Sequence, residues 1–248
     1  MDLENKRIVI TGAASGIGKA TLAMLSKIKG VKILAADLNQ KEIQVGDNIF
    51  PVRCDVSLDV NIRKLISEAD RFIGGIDIFF ANAGFAYYEK IQNGDWGRID
   101  RIYKTNVYSP IFTVTLLNTE RKDPFLFLVT ASAMSHLPLP GYAIYSSTKA
   151  AVHSFMNAYR YELKTGNQIM VVYPIATRTQ FFGAAGEKVT VPFPSQTAET
   201  VAKKIINGIR SDATSVYPSL IFRMTLFFDR FLFFPLKVYQ WLESKKVM

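Results

Sequence analysis

With one cysteine among its 248 residues, Cys54, the chain has no internal disulfide to form. That cysteine ends the apolar stretch Phe50-Pro51-Val52-Arg53-Cys54, where a buried strand thiol is expected rather than a reactive one. Histidines number two, His136 and His153, and neither has a carboxylate or cysteine cluster beside it in sequence, so no metal site is expected and neither is given a role. No uncharged apolar run reaches the roughly 18 residues that a membrane-spanning helix needs. The first residues, Met1 to Lys6, carry acids and run straight into an apolar strand, leaving no room for a signal peptide. A reducing, cytoplasmic setting is the expectation. Acids are outnumbered, 21 against 30 basic residues, for a net charge of +9. The basic residues are scattered and no aromatic–basic recognition motif accompanies them, so nucleic acid is not an expected partner. Phosphates of a small ligand, an acidic carrier or an anionic membrane surface remain open as reasons for the charge.

What is present reads as one large α/β domain. Hydrophobic residues make up 49% and charged residues 21%, the balance of a globular chain. Apolar runs of strand length fall at 7–11, 32–36, 50–54, 76–81, 125–130, 168–173 and near 215–217. Helix-length amphipathic stretches lie between them, near 17–28, 58–73, 93–121, 142–165 and 196–210. Continuous apolar strands alternating with helices predict a doubly wound parallel sheet, covered on both faces, with ligands at the carboxyl ends of the strands. The segment from Asp37 to Phe50 is short and polar, so its crossover helix is expected to shrink to a turn or two. No repeat, low-complexity tract or linker appears before residue 211. The organisation expected is a dinucleotide-binding and catalytic domain over 1–218 and an amphipathic aromatic segment over 219–248.

Two local patterns carry chemistry. The first is Thr11-Gly-Ala-Ala-Ser-Gly-Ile-Gly18, which follows the strand Ile8-Val9-Ile10 and opens a helix. Gly12 permits the tight turn. Gly16 and Gly18 remove side chains where backbone approaches a pyrophosphate, which the helix N-terminus then receives. Asp37, 25 residues after Gly12, ends the next apolar strand, as a ribose-binding acid does. The second is Tyr145-Ser-Ser-Thr-Lys149 near the start of a long helix. Residues four apart share a helix face, and a neighbouring cation favours the phenolate of a tyrosine whose ordinary pKa is about 10.

With Cys54-Asp55-Val56, Ala81-Asn82-Ala83-Gly84, Thr105-Asn106-Val107, Thr130-Ala131-Ser132 and Pro174 to Thr179 in the same order, the chain resembles the short-chain dehydrogenase/reductase family from residue 5 to about 210. The resemblance implies a Rossmann fold and a catalytic tetrad. Tyr145 would be the general acid/base and Ser132 the partner of the substrate oxygen. Lys149 would bind the nicotinamide ribose and lower the tyrosine pKa, and Asn106 would hold a water linking that lysine to solvent. Gly12, Ser15, Gly16, Ile17 and Gly18 would cradle the cofactor phosphates. Asp55 and Val56 would meet the adenine, Asn82 and Gly84 would support the adjoining strand end, and Pro174, Thr177 and Thr179 would face the nicotinamide. Ser135 and Tyr142 lie close by at the wrong spacing and are set aside.

Asp37 favours NAD, because its carboxylate suits two ribose hydroxyls and repels a 2′-phosphate. The basic residues that NADP-type members carry are replaced by Ser15 and Leu38, and Lys19 reads as a solvated helix residue. Three further departures stand out. Ile175 follows Pro174 where the family has glycine, Ala81 precedes Asn82, and Ala131 precedes Ser132. None removes a tetrad member.

From Ser219 the chain is rich in phenylalanine, and Arg223, Arg230 and Lys237 recur every seven residues. Pro235 is expected to break the segment into two helices. An interfacial helix with its basic side toward anionic headgroups, and a tail that covers the substrate pocket or a subunit contact, both stay open. The expected activity is NAD(H)-dependent interconversion of a secondary alcohol and a ketone on a small lipophilic substrate of steroid, retinoid or acyl type. The aromatic tail and Phe181-Phe182 suit such a substrate. The alternatives are a 3-oxoacyl-carrier-protein reductase and a non-catalytic dinucleotide-binding scaffold. A homodimer or homotetramer is expected by analogy, paired through the helices near 93–121 and 142–165, with Ile102, Phe112, Phe155 and Tyr159 as contact candidates.

Overall fold

A computed structural model describes residues 1–179, 194–232, 238–242 and 245. Strand β1 (Arg7–Thr11) is central, flanked on one side by β2 (Lys32–Asp37) and β3 (Ile49–Arg53). On the other side lie β4 (Ile78–Ala81), β5 (Leu126–Thr130) and β6 (Gln168–Val172). Two short strands, β7 (Thr177–Arg178) and β8 (Gln196–Thr197), pair outside the sheet, and β9 (Ser215–Val216) closes its edge. The resulting seven-stranded sheet runs β3-β2-β1-β4-β5-β6-β9, parallel throughout. The strand order reverses between β1 and β4, which opens a crevice at their carboxyl ends. This is a single-domain Rossmann fold.

Burial on both faces explains the unbroken apolar strands. Ile8, Ile10, Ile33, Phe80, Leu128 and Met170 point to one face, under α1 (Gly16–Leu25) and α6 (Ala198–Arg210). Val9, Leu34, Phe79, Phe127 and Val171 point to the other, under α2 (Asp59–Ile73), α4 (Ser109–Glu120) and α5 (Ala143–Tyr159). Phe79 stacks on Phe127 across adjacent strands with ring centroids 5.7 Å apart. Between Asp37 and β3 the crossover is a single 3₁₀ turn, Gln40–Glu42, as the short polar segment implies.

The helix expected over 93–121 is not continuous. Helix α3 (Trp96–Tyr103), capped by Asp95 through its 2.9 Å bond from the Arg98 amide, passes into a π turn, Lys104–Tyr108, before α4 begins. The extra residue in that turn shifts the helical phase, and Asn106 and Val107 become buried. Helix α5 stops at Tyr159 rather than near 165, because two tight turns, from the Tyr161 and Glu162 amides, close it early.

The segment after Ser219 forms α7 (Leu220–Leu232), with Ser219 accepting from the Phe222 amide at 3.2 Å. Lys237, Phe233, Phe234 and Pro235 lie outside the described residues, as do Phe181 and Phe182; the side chains of Arg230 and Phe231 are likewise undescribed. Ile102, expected as an oligomer contact, is fully buried within its own chain against the Tyr142–Tyr145 cluster and has no surface to offer a partner. Cys54 is buried just past β3, and burial pushes its thiol up to about 12, which favours the protonated thiol at neutral pH.

Candidate active site

The crevice is a cleft of about 550 Å³ along the carboxyl ends of the strands. At one end, Gly12 leaves β1 with φ +67°, and a Cβ there would stand 2.8 Å from the Ala83 backbone. Only glycine fits that approach. Gly16 also takes a positive φ, +53°, at the start of α1. Ser15 is the N-cap residue of that helix, its side chain makes no capping bond, and no acid lies in the first turn. The amides of that turn thus have no capping side chain and no acid of their own turn beside them, a setting suited to phosphate. Ser15, Gly16 and Ile17 all line the cleft. Gly18 does not. A Cβ on it would overlap the Gly12 carbonyl and come within 2.7 Å of Asn82 Nδ2, so this glycine lets α1 pack against the sheet, one layer below the cradle.

Asp37 ends β2 at the rim of the same cleft. One of its carboxylate oxygens accepts from the Ala14 amide at 3.0 Å and the other from the Asn39 amide at 2.9 Å. Leu38 stands beside it, 56% exposed, where a cation would be needed to neutralise a 2′-phosphate. Asp55 and Val56 line the neighbouring wall, and Asp55 is held by the Ser57 amide and hydroxyl at 2.9 and 2.6 Å. Asn82 ties three strand ends together. It donates to the Gly12 carbonyl at 3.1 Å, accepts from the Thr130 hydroxyl at 3.0 Å, and its amide reaches Thr11 Oγ1 at 3.1 Å. Together, the cradle and the fixed carboxylate fit a dinucleotide.

At the other end, Ser132, Tyr145 and Lys149 converge, each less than a tenth exposed. Ser132 caps a 3₁₀ turn (Ala133–Ser135) and accepts from the Met134 amide at 3.1 Å. Tyr145 hydrogen-bonds Ser132; burial pushes its phenol up to about 12, and that bond pulls the other way. Lys149 donates to the Thr130 carbonyl at 2.8 Å, and burial drops its ammonium to about 8. The ammonium lies 5.7 Å from the centre of the Tyr145 ring. The expected lowering of the tyrosine pKa is thus not present in this arrangement. Both groups are dry, and the lysine charge is turned toward a carbonyl.

Asn106 lies behind the lysine and does not line the cleft. Its amide donates to the Phe85 carbonyl at 2.9 Å and to Thr148 Oγ1 at 3.1 Å, while its oxygen accepts from the Phe85 amide at 3.1 Å. Gly84 lines the cleft, and a Cβ there would fall 3.1 Å from Asn106 Oδ1 and 3.6 Å from Lys149 Nζ. Pro174, Ile175, Thr177 and Thr179 form the facing wall, with the Thr177 hydroxyl bonded to the Ile175 carbonyl at 2.9 Å. Thr179 packs over Gly16, 3.3 Å from where its Cβ would be.

Two residues that spacing set aside have places here. Tyr142 lines the cleft, buried, its ring 6.3 Å from that of Tyr145 and 4.9 Å from that of Tyr88. Ser135 accepts from the Ser132 amide at 3.3 Å and donates to the Lys149 carbonyl at 2.9 Å, so it links serine and lysine from behind. A capping-box pattern, Ser132-x-x-Ser135, was the available signal for it. Arg101 also reaches the cleft, and no spacing argument pointed to it. Among the described residues no group of three or more His, Cys, Asp or Glu is placed to hold a metal ion.

A family model described as short chain dehydrogenase matches residues 6–190. An uncharacterized oxidoreductase of Myxococcus xanthus is 28% identical over 229 residues, covering 88% of this chain and 89% of that protein. The 11-beta-hydroxysteroid dehydrogenase 1A of Arabidopsis thaliana is 27% identical over 235 residues, covering 84% and 66%. Among solved structures, a Burkholderia phymatum short-chain dehydrogenase/reductase in complex with NAD superposes with a TM-score of 0.80 at 20% identity, covering 91% of this chain and 92% of that one. A Burkholderia cenocepacia short chain dehydrogenase in complex with NADP also gives 0.80, at 19% identity, covering 94% and 95%. The chain belongs to the short-chain dehydrogenase/reductase family of oxidoreductases.

Proposed function

We propose that the protein is an NAD(H)-dependent oxidoreductase that interconverts a secondary alcohol and a ketone on a small lipophilic molecule. The observation that carries this reading is the dry contact of Tyr145 with Ser132 on an apolar wall, at the opposite end of the cleft from Asp37. A nicotinamide dinucleotide, when bound, supplies or accepts a hydride at the substrate carbon. The chain's own residues handle the proton and the orientation. Ser132 and Tyr145 hold the carbonyl oxygen. Tyr145, kept neutral by burial, gives its proton to that oxygen in the reductive direction and takes one back in oxidation. Lys149, whose ammonium sits on the Thr130 carbonyl, would bind the nicotinamide ribose, and Asn106 holds the Phe85 backbone and the Thr148 hydroxyl next to that lysine. The glycine cradle, Ser15 and Ile17 would hold the phosphates, and Asp37 would take the adenosine ribose hydroxyls.

Support for the NAD preference comes from the fixed Asp37 carboxylate and the exposed Leu38 beside it. The family's solved relatives include complexes with NAD and with NADP, so the choice rests on these residues. Support for a lipophilic substrate comes from the cluster around the tyrosine, where Tyr142, Leu137, Leu139, Ile175 and Phe222 pack together. The name of the Arabidopsis relative points the same way. A homodimer or homotetramer built on α4 and α5 completes the proposal.

The experiment is a turnover screen of the purified protein with NADH and with NADPH against steroid, retinoid and acyl-thioester ketones and against sugars. Turnover of a lipophilic ketone with NADH as the better cofactor is expected. Turnover confined to sugars, or better efficiency with NADPH, would overturn the corresponding half of the proposal.

A further inference from the structure

Helix α7 has two apolar faces. Its inner face, through Phe222 and Leu226, packs into the cluster that holds Tyr142 and Tyr145. Its outer face carries Leu220, Ile221, Met224, Phe227 and Phe228, which are 70%, 68%, 49%, 61% and 45% exposed. At 3.6 residues per turn these five share an arc of about 120°, opposite Phe222 and Leu226. Scattered exposed apolar residues are ordinary, but five large ones in a helical stripe mark an interaction surface. Trp241 and Leu242, in the helical residues 238–242, add 56% and 49% exposed apolar side chains to the same tail.

Charge selects the partner. Residues 219–248 contain five basic residues (Arg223, Arg230, Lys237, Lys245 and Lys246) against two acids, Asp229 and Glu243, within a chain of net charge +9. Arg223 is exposed, and the Lys245 ammonium lies 3.7 Å from the centre of the Trp241 ring. A twofold contact between copies through this segment would set its positive charge against itself. An anionic lipid surface neutralises that charge while the headgroup–acyl boundary takes up the stripe. Beside the tail runs a groove of about 650 Å³, lined by Trp241, Gln240, Leu139 and Met134. Met134 also lines the catalytic cleft. The groove and the catalytic cleft thus lie on either side of one shared wall residue, Met134.

We infer that α7 lies along the surface of an anionic bilayer, its outer stripe in the interfacial layer, and that hydrophobic substrate enters from that surface. No helix among the described residues is long and apolar enough to cross a membrane, so the contact is peripheral. The entry route rests on the lipophilic-substrate reading above; the membrane contact does not.

The test is cosedimentation of the full chain, without substrate or cofactor, with vesicles of phosphatidylcholine alone and of phosphatidylcholine mixed with phosphatidylserine. Wild type is expected to bind the mixed vesicles more tightly and to release as salt screens the charge. The variant Ile221→Ser/Met224→Ser/Phe227→Ser/Phe228→Ser should bind the mixed vesicles at least about tenfold more weakly. Its mass by light scattering and its turnover of a small soluble ketone should match wild type. Absence of wild-type binding at low salt overturns the inference, as does a variant that binds equally well. A variant of smaller mass, from a wild type indifferent to vesicles, would assign the stripe to a subunit contact and overturn it too. Because the vesicle assay holds no reactants, it is read independently of the proposed reaction.

Discussion

Lys149 donates to the Thr130 carbonyl at 2.8 Å, across the end of β5, while its own backbone carbonyl accepts from Ser135 at 2.9 Å. The residue is thereby gripped at both ends, by the strand below it and by the turn that presents Ser132. Serine, tyrosine and lysine form one positioned unit rather than three independent side chains.

Tyr145→Phe removes the proposed proton donor and leaves the ring that packs against Tyr142. Turnover should fall by at least about a hundredfold, the scale of lost general acid/base catalysis, while NADH affinity stays near wild type. Stopped-flow turnover beside NADH titration by fluorescence reads both quantities. Near-wild-type turnover would remove Tyr145 from the chemistry.

Ser135 acts through its neighbours, not on the substrate. Ser135→Ala leaves the Ser132 amide and the Lys149 carbonyl without this partner, a loss of about 1–3 kcal/mol in stability or alignment. The rate constant should drop with KM little changed, and the effect should shrink when Ser132 is already alanine, because both act on one unit. Additive losses in the double variant would separate the two residues.

Asp37→Ser with Leu38→Arg exchanges a like charge for an opposite one at the proposed adenosine-ribose site. The ratio of NADH to NADPH efficiency should move toward NADPH by about tenfold or more, worth about 1.4 kcal/mol per decade. Initial rates with each cofactor measure it. An unchanged ratio would break the electrostatic argument.

His136 and His153 sit ring to ring, centroids 4.5 Å apart, among Tyr173, Tyr217 and Phe222. Tyr217 and Tyr173 bond them at 3.3 and 2.8 Å, and Arg160 adds positive charge beside His153. Burial first, then the neighbouring His153, lowers His136 from 6.5 to about 4. The unfolded chain therefore binds a proton at His136 across that window while the folded chain does not, so this contribution to stability is present above pH 6.5 and is lost as pH falls toward about 4. Melting temperatures taken between those pH values should fall less steeply for His136→Phe than for wild type. Parallel curves would show that His136 does not titrate there.

Phe112, Phe155 and Tyr159 keep part of their surface on α4 and α5; Phe155 stacks on Tyr159 at 5.1 Å, and Arg63 covers Phe112 at 5.1 Å. Light scattering should return a multiple of the 27.9 kDa chain, and Phe112→Glu with Phe155→Glu should reduce it. A wild-type mass equal to one chain at micromolar protein would refute the assembly.

The sequence by itself determined the parts whose causes are local. Gly12 must be glycine because the turn out of β1 has a positive φ, and Tyr145 and Lys149 share a face because they lie four residues apart on one helix. Buried strands read as apolar runs because both faces of a parallel sheet are covered. Tertiary structure alone decided the rest. The π turn at Lys104–Tyr108 arises where Asn106 bonds the distant Phe85 backbone and Thr148, contacts that no local pattern announces. His136 and His153, seventeen positions apart, become neighbours only when the turn after β5 folds onto α5, and dehydration then sets their charge. The two faces of α7 look alike in sequence, since both are apolar. Packing against the Tyr142–Tyr145 cluster gave Phe222 a buried place and left Ile221 and Met224 facing outward.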